Sequence, residues 1–214
     1  MAEQFIIRKN NFLKNDTIGY HNRDYTGYGQ PDNPNFLNIL KNTFNNTQAL
    51  DLEKAKQEVQ NILMVDIPTI MRDNNLVKCV CVCIPRAKAL NTYTPNQLFL
   101  RDAVSNAASQ MDGVIDGSNF IVRHTNTRTT HLSETTGRIA TTGQLSKNDG
   151  ELPYRGISKE TCRINSAGIY NQKIILIDDI YTNGVNIDED CIQALLDAGA
   201  KNVIFYAIAY TRRH

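Results

Sequence analysis

Two adjacent carboxylates, Asp178 and Asp179, follow four apolar residues in the stretch KIILIDDIYTNGVNID, residues 173–188. After them come Thr182, Asn183, Gly184, Val185 and Asn186, and then the first turn of an expected helix. A helix start supplies backbone N–H groups without intrahelical partners and the positive end of the helix dipole. Gly184 lets the backbone approach a ligand closely or take a positive φ. The hydroxyl of Thr182 and the amides of Asn183 and Asn186 can add hydrogen bonds, so the turn reads as a phosphate cradle. Carboxylates at the end of the preceding strand suit the hydroxyls of a sugar carried by that phosphate. Acids for hydroxyls and amides for phosphate together describe a ribose 5-phosphate. An ordinary strand, turn and helix with an Asp cap shares some of these residues. Apolar run, paired acids, Thr-x-Gly and helix in that order is a more specific combination. Asp188, Glu189 and Asp190 open the helix; acids suit its dipole, but so many near a phosphate would weaken its binding unless they point outward.

The elements around this stretch follow from periodicity. Residues 76–85, 119–124, 160–164, 173–179 and 202–210 read as strands, with 173–179 and 202–210 almost continuously apolar. Residues 95–111, with Pro near the start, and 188–199, closing at Gly199, read as helices. Buried strands alternating with helices predict an α/β fold, with a mostly parallel central sheet covered on both faces. In such sheets ligands sit beyond the carboxyl ends of the strands.

Upstream, residues 5–9 suit a short strand, and 34–46 and 50–71 suit helices, with Pro68 expected to break or kink the second. Leu52, Ala55, Val59, Ile62 and Leu63 form its apolar stripe. Residues 19–36, rich in Gly, Pro, Asn and Asp, read as a loop whose Tyr20, Tyr25 and Tyr28 either cover a ligand or, the favoured reading, pack on the core. Gly27 and Gly29 lack the third glycine and preceding strand of a dinucleotide site. The long polar stretch 125–156 has the character of a functional lid, mobile without ligand.

Composition narrows the classes. The chain has 214 residues and a net charge of +1, so no overall field points to nucleic acid or a membrane surface. The N-terminal MAEQFIIRKN does not read as a secretory signal, and no apolar run approaches the ~20 residues of a membrane span. The expectation is a soluble, cytoplasmic protein. Five cysteines show no zinc spacing and no disulfide framework; Cys79, Cys81 and Cys83 alternate on one strand and are expected to be small buried residues.

ILIDDIYTNGVNI resembles the 5-phosphoribosyl-1-pyrophosphate (PRPP) signature of the type I phosphoribosyltransferases: apolar strand, D-D, two residues, T-T-G, one residue, T. Asn183 and Asn186 stand where that family often has Thr, and both can hydrogen-bond a phosphate. The likeness extends to the ComF-like, competence-associated branch. IPRAK (84–88) stands at its pyrophosphate loop, and Asn96-Gln97, VRHTNTRTTHLSE (122–134) and DAGAKNVIFYAIAYTRR (197–213) resemble its later segments. Tyr93-Thr94-Pro95 replaces the branch's Arg-Gly-Phe, and the match covers about residues 76–213.

The resemblance implies a division into an N-terminal hood, 1–75, which would hold the acceptor, and a phosphoribosyltransferase-like core, 76–214. It implies Mg²⁺-dependent transfer of the phosphoribosyl group from PRPP to a small nitrogen nucleophile, with release of pyrophosphate. Asp178 and Asp179 would hold ribose hydroxyls and the metal ion. Arg86 and Lys88 would meet the pyrophosphate, and Thr182, Asn183, Gly184, Val185 and Asn186 the 5-phosphate. Arg123, Arg128 and His131 would close over the site from the loop. Homodimers are common in the family. The same fold also serves as a non-catalytic PRPP- or nucleotide-sensing regulator, or as an accessory in DNA uptake or conflict systems. Binding to nucleic acid would require a basic face that the balanced charge does not announce.

Overall fold

A computed structural model describes residues 2–27, 29–127 and 161–212. Its main sheet has six strands: β1 (Glu3–Ile7), β2 (Thr17–Tyr25), β3 (Cys79–Cys83), β4 (Val114–Asp116), and two further strands introduced below. Helices α1 (Asn35–Lys41) and α2 (Ala49–Asp73) lie between β2 and β3, and α3 (Phe99–Ser109) links β3 to β4. Strands β5 (Ile121–Arg123) and β6 (Cys162–Ile164) form a separate antiparallel pair, followed by the short α4 (Ser166–Ile169). The chain ends with β7 (Lys173–Tyr181), α5 (Ile187–Asp197) and β8 (Asn202–Thr211). The sheet order is β1-β2-β8-β7-β3-β4, parallel throughout except for β1.

Alternation of side chains along the strands divides the core into two layers. Cys79, Cys81, Cys83, Ile175, Ile177, Ile204 and Tyr206 pack under α1, α2 and α3. Val80, Val82, Ile174, Leu176, Val203 and Phe205 pack against α5 on the other face. This is why β3, β7 and β8 are apolar at successive positions. All five cysteines are free and buried, as small apolar residues of this core. Among the described residues, no helix is long and apolar enough to cross a membrane.

Several elements depart from the sequence expectations. Residues 19–25 form most of strand β2 rather than a loop. The polar Arg23 and Asp24 disguise it, but β2 is held by parallel pairing to β8, with Gly19 opposite Phe205 and Tyr25 opposite Thr211. The N-terminal region therefore adds two strands to the sheet as well as helices over it. Tyr20 is buried in the core and Tyr25 packs against it; Tyr28 lies outside the described residues. Helix α2 runs on through Pro68 to Asp73. Pro68 is exposed, so water can satisfy the carbonyl that its ring deprives of a partner. Leu63, Ile67 and Ile70, all fully buried, hold the helix on both sides of it. Pro95–Gln97 forms a 3-10 turn with a capping box between Thr94 and Gln97, and α3 starts only at Phe99.

The chain leaves β3 for β4 on one side, whereas β7 lies on the other. The strand order thus reverses between β3 and β7, which opens a crevice beyond their carboxyl ends.

Candidate functional site

Asp178 and Asp179 lie at this crevice, within β7 and two residues short of its end rather than at its last positions. The strand continues to Tyr181 because β8 continues beside it, pairing Asp178 with Ala207 and Tyr181 with Tyr210. On the other flank, the paired register with β3 ends at Cys83 opposite Ile177. The carboxylates are therefore supported by β8 on one side and stand past the end of β3 on the other.

Adjacent strand residues face opposite sides of a sheet, and the two carboxylates find different partners. Asp179 turns towards α1, where its Oδ2 lies 3.1 Å from Nζ of Lys41. Burial pulls down the pKa of this ammonium, but the charges of Asp179 and Asp178 more than offset it, and the net shift is upward. Lys41 is the site residue that sequence reasoning missed. It ends a short helix, where a basic residue is unremarkable on dipole grounds alone.

Asp178 turns towards α5. Its Oδ1 accepts a hydrogen bond from the Asp179 N–H at 2.8 Å. Its carboxyl also lies beside that of Asp188, in the first turn of α5. Burial, and then the charge of Asp179, push its pKa up to about 7. Burial, and then Asp178, push Asp188 well above the usual carboxylate range. Burial and a neighbouring carboxyl both disfavour charge on such a pair. Glu189 is buried as well and accepts a hydrogen bond from the Tyr181 hydroxyl at 3.0 Å. Asp188 and Glu189 thus point inward, the orientation in which acids at this helix start would weaken the binding of a phosphate. Asp188 Oδ1 and Glu189 Oε2 are buried without a hydrogen-bond partner.

The turn between β7 and α5 has the backbone expected of a cradle. Gly184 has φ 86° and Asn186 φ 68°, both left-handed. The Val185 N–H closes the turn on the Thr182 carbonyl at 3.2 Å. Part of the expected polar equipment is engaged internally. The Asn186 side chain donates to the Gly184 carbonyl at 3.1 Å and accepts from Asn10 at 3.2 Å. The Thr182 hydroxyl pairs with that of Thr211 at 2.7 Å. Asn183 and Gly184 are exposed at the tip.

Arg86 and Lys88 lie where expected, on the loop after β3, yet Arg86 is used differently. Its Nη1 donates to the carbonyls of Lys41 and Gln97, each at 2.6 Å, and its guanidinium stacks 4.6 Å from the centre of the Tyr93 ring. A guanidinium on the last carbonyl of α1 both satisfies and charge-complements that helix end. Gln97 reinforces the contact by donating to the carbonyls of Asn42 and Thr43 at 3.2 and 3.3 Å. The loop's own N–H groups are also bound: Lys88 to the Tyr93 hydroxyl at 2.9 Å and Ala89 to Asn126 at 2.8 Å. Arg123 braces the loop from below, its Nε donating to the Arg86 carbonyl at 2.8 Å. Arg128, His131 and most of the 125–156 stretch lie outside the described residues.

A divalent ion held by the protein fits this donor set poorly. Asp179 is paired with an ammonium and Asp178 with a second carboxyl, on opposite faces of β7. Among the described residues, no group of three or more His, Cys, Asp or Glu side chains is arranged to hold a metal. The arrangement instead offers hydrogen-bond acceptors beside a turn with two left-handed residues. No family model matches the chain, and no curated protein matches it.

Proposed function

We propose that the crevice binds the phosphoribosyl group of PRPP and that the protein transfers it to a small nitrogen nucleophile, releasing pyrophosphate. The observation that carries this is the run from Asp178 to Asn186. Carboxylates stand past the end of β3 at the point where strand order reverses, and a turn with two left-handed residues leads from them into α5. The sugar hydroxyls would donate to the carboxylates, and the 5-phosphate would accept from the N–H groups of the turn and helix start. Magnesium enters with the diphosphate as part of the substrate, keeping most of its water. The protein's share is positioning the ring and stabilising the charge that gathers on the leaving group.

A second reading, a non-catalytic module that binds PRPP or a nucleotide, is favoured by one observation. The Arg86 guanidinium, expected at the pyrophosphate, is bound to two backbone carbonyls. Phosphorus NMR of PRPP with Mg²⁺, the protein, and a mixture of nucleobases and ammonia separates the two. Pyrophosphate formed only with both protein and acceptor establishes the transferase. PRPP signals that broaden but persist support the binding module, and unchanged signals refute both.

A further inference from the structure

Lys41 stands where the proposed site would otherwise need a cation. Its Nζ is 3.1 Å from Asp179, with only 29% of the lysine side chain and 16% of the aspartate side chain exposed. The backbone of the same residue is clamped by Arg86, so the ammonium is anchored at both ends. The Asn42 side chain, one residue on, donates to the Asn96 carbonyl at 3.4 Å and ties the same turn to the loop region after β3. A group held in this way is preorganised and loses little freedom when a ligand arrives. The donor set described above leaves Asp179 no second carboxylate on its own face with which to chelate an ion.

We propose that Lys41 is the resident counter-cation of the Asp178–Asp179 pair, so that the protein grips the ribose of a phosphoribosyl ligand without a protein-bound divalent metal. This rests on the phosphoribosyl reading. The ammonium offsets the charge of Asp179 before an anionic ligand approaches, while the carboxylate keeps lone pairs free to accept from sugar hydroxyls. Without it, two carboxylates at the same strand end would repel a phosphate and would themselves recruit a cation.

The test uses ribose 5-phosphate, which lacks the diphosphate that carries Mg²⁺ into the site. Its binding to the whole chain is measured by calorimetry, with Mg²⁺ and with EDTA, for the wild type, Lys41→Arg and Lys41→Met. Melting curves establish that each variant is folded. Wild-type affinity is expected to be the same in both buffers. Lys41→Met is expected to bind about tenfold or more weakly in EDTA, the size of a lost charge-assisted contact, and to recover in part with Mg²⁺. Lys41→Arg is expected to remain independent of Mg²⁺. A merely structural lysine would not make binding depend on the metal. The inference is overturned if wild-type binding requires Mg²⁺, or if Lys41→Met binds as the wild type does. It also falls alone if the wild type binds PRPP with Mg²⁺ but not ribose 5-phosphate. If the wild type binds neither ligand, the phosphoribosyl reading is refuted, and the inference with it. The wild-type comparison decides even if Lys41→Met does not fold.

Discussion

The two faces of β7 solve the same problem differently. Each holds a partly buried carboxylate at the same strand end. On the α1 face, Asp179 is neutralised by an ammonium that arrives from a distant part of the chain. On the α5 face, Asp178 meets a second carboxyl, Asp188, at the helix start, and the neighbouring Glu189 accepts from a tyrosine hydroxyl. A carboxyl pair is sensitive to pH and leaves oxygens without partners. One face therefore matches charge with charge, and the other stores an electrostatic cost beside the turn between β7 and α5. Such local inconsistency is common where binding, rather than stability, is served.

The comparison breaks most completely if both carboxylates are neutralised. Asp178→Asn with Asp179→Asn is expected to abolish PRPP binding in calorimetry while far-UV circular dichroism stays native; unchanged affinity would show that neither acid touches the sugar. The next largest effect belongs to the α1 face. Arg86→Ala removes the donor to the Lys41 and Gln97 carbonyls, and urea unfolding is expected to show a loss of about 2 kcal/mol. Arg86→Lys should recover only part of it, because an ammonium lacks the planar fork. Stability within about 0.5 kcal/mol of wild type would rule out the clamp.

On the α5 face the sign reverses. Asp178 has a folded pKa of about 7, raised above an unfolded value of about 4. The folded state therefore holds the proton more tightly. The penalty for its charge is absent below the unfolded pKa, grows as pH rises from about 4 to 7, and stays constant above. Asp178→Asn alone is expected to stabilise the protein at pH 8 by about 1–2 kcal/mol, roughly 2–8 °C in Tm. That gain should vanish towards pH 4. A variant less stable than wild type at pH 8 would mean that the carboxylate is fully compensated. The smallest effect is expected for Tyr181→Phe, which removes one buried hydrogen bond to Glu189 and should cost about 1 kcal/mol in thermal or urea melts.

Where the sequence could be read, local spacing carried the information. The apolar runs of β3, β7 and β8 marked a sheet buried on both faces, and Gly184 before an acid-rich helix start marked the turn. Reading failed where a long-range partner overrode a local signal. β2 is polar enough to look like a loop, but β8 supplies its hydrogen bonds. Pro68 looks like a helix breaker, but its exposed side is open to water and its buried neighbours carry α2 on past it. The Asp pair looked like a strand terminus because an apolar run stops there, whereas β8 carries the strand to Tyr181.

The sequence by itself determined the α/β class, the parallel strand order's apolar core, and the succession of carboxylates, turn and helix. These depend on periodicity and on residues a few positions apart, which fix backbone conformation and the face each side chain takes. Only the tertiary structure decided which charges meet. Lys41 reaches Asp179, Arg86 turns from the crevice to the end of α1, and Asp188 and Glu189 face inward. Electrostatic partners are set by distance and burial in space, and neither is encoded in the spacing of residues along the chain.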